Sequence, residues 1–117
     1  MLGMIAVAAI LGAVIVGVSL LSRYWSKIVE FMKQVIYKLK ARTHQAVLGC
    51  RVSIRRLGDR FQNRTKHYSK NELGNWKETT VTCEMDKKEV PEKYRNYARL
   101  EEEFDLTPEL QLQLQRA

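Results

Sequence analysis

The sequence predicts an α+β chain held in a membrane by one N-terminal helix. An amphipathic juxtamembrane helix and a small antiparallel β-meander with a C-terminal helix are expected to follow. Three observations carry this expectation. The first 22 residues contain no charged side chain. Residues 23 to 70 then carry thirteen Lys or Arg against two acids. Beyond residue 45 the apolar residues recur with strand spacing.

Residues 1–22 are the expected transmembrane anchor. From Leu2 to Leu21 the run is uncharged and Ser19 is its one polar side chain. At about 1.5 Å per residue such a helix is roughly 30 Å long, the thickness of a bilayer's hydrocarbon core. A cleaved signal peptide fits less well, because no basic region precedes a run this long. A buried helix that is apolar all round needs a larger core than a chain of this size offers. Ala8, Ala9, Gly12, Ala13 and Gly17 form small-residue stripes on that helix, which suit close packing against another helix in lipid. Tyr24 and Trp25 fall where amphipathic rings favour the headgroup layer, beside the basic Arg23, Lys27, Lys33, Lys38 and Lys40. Basic residues on this side predict an outside N-terminus and a cytoplasmic C-terminal domain.

Residues 23–45 are expected to form a basic amphipathic helix. Trp25, Ile28, Met32, Val35 and Leu39 recur at three- and four-residue steps. The stripe suits a lipid interface, a second copy, or the chain's own downstream domain. The remainder, 46–117, reads as one small cytoplasmic domain. Alternation over 46–56 predicts a strand, although Val47, Cys50, Ile54, Leu57 and Phe61 also fit a helix; Gly49 and Gly58 tilt the reading to strand. Gly58-Asp59 is then a turn. Residues 60–70 and 76–85 flank Asn71-Glu72-Leu73-Gly74-Asn75 as a hairpin. Pro91 opens a helix over 91–104. The tail, 105–117, gives conflicting signals: Leu110 to Gln115 alternates like a strand, while Thr107-Pro108-Glu109 resembles a helix start. The alternation is taken as the stronger signal.

No catalytic constellation is legible. Cys50 and Cys83 belong to no CxxC pair, and His44 and His67 lack zinc-ligand spacing. In a reducing compartment both thiols are expected to be free. No phosphate-cradling Gly-rich loop occurs, and neither cofactor nor metal is expected. Asn63-Arg64-Thr65 matches a glycosylation sequon, which a cytoplasmic domain would not use. Arg51, Arg55, Arg56, Arg60, Arg64, Lys66 and Lys70, interleaved with Phe61 and Tyr68, form an expected basic surface. Such a surface suits single-stranded nucleic acid, but next to a membrane it suits anionic lipid or a protein partner better.

The runs HYSK (67–70), WKETTVT (76–82), EVP (89–91) and DLTPELQLQL (105–114), behind an anchor and a basic segment, resemble those of small bacterial single-pass membrane proteins. That group has no assigned activity. The resemblance therefore implies architecture and carries over no functional residue. The function expected from the residues is a non-enzymatic adaptor or scaffold that holds a protein partner at the cytoplasmic membrane face. A small membrane effector that oligomerises and perturbs the bilayer is the alternative, and a membrane tether for nucleic acid ranks third.

Overall fold

The computed structural model describes residues 3–116. In chain order the elements are β1 (Ile5–Ala6), α1 (Val7–Leu11), α2 (Leu20–Thr43), β2 (Val47–Leu57), β3 (Arg60–Lys70), β4 (Trp76–Asp86), a single 3-10 turn (Lys87–Glu89), α3 (Glu92–Leu100), β5 (Phe104–Asp105) and α4 (Thr107–Arg116). The strands form one antiparallel sheet in the order β1-β2-β3-β4, and β5 pairs with β2 on the same edge as β1.

Strand periodicity sets the sheet's two faces. Cys50, Val52 and Ile54 on β2 stand beside His67, Thr65 and Asn63 on β3, and these in turn beside Thr79, Val81 and Cys83 on β4. This face is the core face, and α2 lies over it. Arg51, Ser53 and Arg55 with Gln62, Arg64, Lys66 and Tyr68 occupy the other phase. The β2–β3 connection is the two-residue turn Gly58-Asp59, where Gly58 takes φ +61° at no steric cost. Asn71 closes the next turn by accepting the Asn75 N–H on its side chain.

The apolar stripe of α2 turns into this core. Tyr24, Trp25, Ile28, Val29 and Met32 are almost completely buried. Trp25 donates its indole N–H to the Tyr94 hydroxyl of α3 at 2.9 Å. Its ring meets Tyr24 and Tyr94 edge-on, with centroids 5.1 and 5.6 Å away. Tyr24 donates its hydroxyl to Asn63 Oδ1 on the sheet. The helix starts with Ser19, whose side chain accepts the Ser22 N–H, and ends at His44 in a left-handed conformation. Tyr24 and Trp25 are therefore core residues and not membrane-interface anchors.

The expected transmembrane anchor is overturned. Among the described residues no helix is long and apolar enough to cross a membrane. The single-pass architecture, the outside-to-inside orientation and the membrane location read from it are not supported. The uncharged run is instead divided. Ile5 and Ala6 pair with Cys50 and Gly49 of β2. Gly49 admits this approach, since a Cβ there would lie 2.5 Å from Met4 Sδ. Five residues of helix follow, ending at Gly12. The apolarity serves the core: Ile5, Ile10 and Ala13 are buried beside Trp25 and Leu110. A run of 20 mostly apolar residues suits a lipid-facing helix and a core-filling segment equally well, and here it fills the core.

The tail is the second correction. Thr107–Arg116 is a helix and not a strand. The hydroxyl of Thr107 accepts the Val52 N–H and donates to the Val52 carbonyl. That anchors the first turn to β2 and drives Leu106 and Leu110 into the core. The helix expected over 91–104 stops at Leu100, and Phe104 returns to the sheet opposite Ile54.

Candidate binding surfaces

The most chemistry-like cluster is buried. Cys50 Sγ lies 3.3 Å from His67 Nδ1, and His67 Nε2 lies 2.9 Å from Thr65 Oγ1. Cys50 and His67, 17 residues apart in the chain, are cross-strand partners, both on the inward phase of their strands. The spacing is that of a nucleophile, a base and an orienting group. The electrostatics run the other way. Burial pushes the Cys50 thiol up to about 12 and holds the His67 imidazolium down to about 4. Both groups are neutral at pH 7, with no exposed surface on the thiol. The trio packs and hydrogen-bonds the core. Cys83 is a second free thiol, half-buried on the same sheet face, and burial raises its pKa too. Among the described residues no group of three or more His, Cys, Asp or Glu is placed to hold a metal ion.

Three of the seven residues of the expected basic surface are neutralised by acids of the same chain. Arg51 pairs with Asp105 at 3.0 Å, Arg64 with Glu103 at 3.1 Å and Arg60 with Asp86 at 2.6 Å. The hydrogen bond to Asp105 raises the Arg51 pKa. Partial burial works against the Asp105 carboxylate, but hydrogen bonds from Thr107 and Arg51 outweigh it and hold its pKa down. Arg56 turns to the Gly58 carbonyl at 2.8 Å. Phe61 is buried on the opposite face. Of the seven residues, Arg55, Arg56, Lys66 and Lys70 make no ion pair among the described residues.

The cations expected beside a membrane are instead scattered by role. Lys27 pairs with Glu89, whose carboxylate pKa is lowered by that hydrogen bond. Lys33 donates to the Ala13 carbonyl at 2.7 Å and also reaches Glu30. Arg23, Lys38 and Lys40 face solvent.

The small residues of the first 20 positions do not share one helix. Ala8 and Ala9 lie in α1, Gly12 caps it, Ala13 is buried, and Gly17 lies in the irregular run that follows. That run is held along α2 at both ends. Ala13 is tied to Lys33, and a Cβ on Gly17 would meet Ser22 Oγ at 2.5 Å. Between these points alternate residues face outward: Val14, Val16 and Val18 are 69%, 84% and 92% exposed. Ala13 and Ile15 turn inward. The result is an apolar strip on a backbone that belongs to no helix or strand.

No protein-family model, curated protein or solved structure matches the chain. The functional reading rests on these surfaces.

Proposed function

We propose that the chain is a non-catalytic adaptor that holds a protein partner, and that the Val14–Val18 strip is its docking surface. The observation that supports this is the alternating exposure of Val14, Val16 and Val18 on a segment pinned against α2. Single exposed apolar residues are ordinary, but a contiguous row is a mark of an interaction site. The row's backbone lies outside the sheet, so a partner segment that adds alongside it gains main-chain hydrogen bonds as well as apolar contact. The partner is a protein presenting an apolar face to the strip.

The test is the triple substitution Val14→Asp, Val16→Asp and Val18→Asp. These side chains face solvent, so the unfolding free energy is expected to stay within about 1 kcal/mol of the parent. A stoichiometric partner recovered with the parent is expected to be lost with the variant, read by co-purification and light scattering. Equal recovery of the same partner with both proteins contradicts the assignment. A parent that forms homodimers, abolished by the same substitutions, replaces the separate partner by a second copy.

A further inference from the structure

A second surface lies at the end of the molecule where α2 finishes. Residues 44–46 join α2 directly to β2, β3 ends at Lys70, and β4 begins at Trp76. Chain connectivity therefore gathers Lys38, Lys40 and Arg42 from the helix with Lys70 and Lys77 from the strands; Lys66 lies four residues from Lys70 along β3, in a cleft it shares with Arg51, Glu103 and Asp105. Glu72 and Glu78 are the acids of the same stretches. Elsewhere, six of the other fourteen Lys and Arg pair with acids among the described residues, as in Lys27–Glu89, Arg60–Asp86 and Lys93–Glu109. Among the described residues none of the six cations at this end makes an ion pair. Lys40 and Arg42 complement the carbonyl end of α2. That role leaves the strand lysines unexplained.

Aromatic surface accompanies the charge. Trp76 is 42% exposed and Tyr37 is 63% exposed. Lys70 Nζ stands 5.3 Å from the Trp76 ring centroid. Lys66, Lys70 and Trp76 lie on the open face of the sheet, whereas Lys38, Lys40 and Arg42 lie on the helix layer behind it. The cations thus wrap round an end of the molecule. A planar bilayer meets one side of such an end, while a flexible polyanion follows both.

We propose that this end binds single-stranded nucleic acid, with the six cations contacting phosphates and Trp76 stacking on a base. Phosphate contacts supply the salt-dependent affinity, and stacking on an aromatic ring is tolerant of sequence. This reading goes beyond the adaptor assignment and uses none of the residues of the apolar strip.

The test is fluorescence anisotropy with labelled fifteen-nucleotide dT and U oligomers between 50 and 200 mM salt, on the full chain. Binding is expected to persist at 150 mM salt and to weaken steeply as salt rises. The combined variant Lys38→Gln, Arg42→Gln, Lys70→Gln and Lys77→Gln is expected to bind at least roughly tenfold more weakly, with a shallower salt dependence. Trp76→Ala is expected to weaken binding roughly tenfold without changing that dependence, because it removes stacking and no charge. All five positions are exposed, and an unchanged circular dichroism spectrum shows that each variant is folded. No binding at 150 mM salt overturns the proposal, as does a Trp76→Ala variant equal to the parent. Tighter association with phosphatidylglycerol vesicles than with either oligomer also overturns it.

Discussion

Replacing Trp25 by alanine is expected to lower the unfolding free energy by about 3–5 kcal/mol, a large share of a small domain's total. Trp25 has no exposed surface, contacts Tyr24 and Tyr94 edge-on and donates its indole N–H to Tyr94. Truncation removes the largest fully buried side chain of the core and leaves the Tyr94 hydroxyl without that donor. Trp25→Phe separates the contributions: it keeps much of the ring packing and is expected to cost less than alanine. Urea unfolding followed by far-ultraviolet circular dichroism measures both. A loss below about 1 kcal/mol for alanine would place Trp25 outside the core, since exposed substitutions have effects of that size or less.

Lowering the pH from 7 towards 4 is expected to destabilise the parent more than a His67→Gln variant. The folded-state pKa of His67 is about 4, below the unfolded value of about 6.5, because burial disfavours the imidazolium. Between these values the unfolded chain binds more protons than the folded one. Stability from the neutral ring is therefore complete above about pH 6.5 and drains away as pH falls through that window. The full difference corresponds to about 3 kcal/mol. Carboxylates such as Glu89 and Asp105, whose pKa values are depressed, also lose stabilisation in acid, but they are common to both proteins and cancel in the difference. Urea titrations at pH 7, 6 and 5 should show the gap between parent and variant narrowing. A constant gap would mean that His67 is solvated in the folded state.

The three long strands of the sheet were legible in the sequence because period-two alternation and turn chemistry agreed there, whereas β1 and β5 were not. Gly58-Asp59 and Asn71 to Asn75 bound β3 on both sides, and the observed strands lie within about two residues of their expected limits. The stripe from Trp25 to Val35 was legible for the same reason, since one face of α2 is apolar throughout. Its destination was not, because a stripe with a Lys border suits lipid and sheet alike. The first 20 residues were misread on bulk hydropathy: their fate depends on the edge of β2, which no local pattern encodes. The tail was misread because Leu110, Leu112 and Leu114 alternate, whereas the Thr107 hydroxyl at Val52 secures a helix start. The candidate sites depended still more on tertiary pairing. Arg51 and Arg64 meet acids about 50 and 40 residues away, so their basicity is spent internally. Lys38 and Lys70 come to one end of the protein only through the order of the elements.

The most direct test of this fold is a cross-link between β1 and β2. Ile5 and Cys50 are cross-strand partners, within the Cα separation a disulfide can span. In a Cys83→Ser background, Ile5→Cys is expected to form an intramolecular disulfide with the native Cys50 on mild oxidation, detected by peptide mass mapping. A continuous helix through the uncharged run would hold position 5 far from the sheet. An Ile5→Cys thiol that stays free to alkylation after oxidation, with Cys50 unlinked, would contradict the packing of this segment on the sheet.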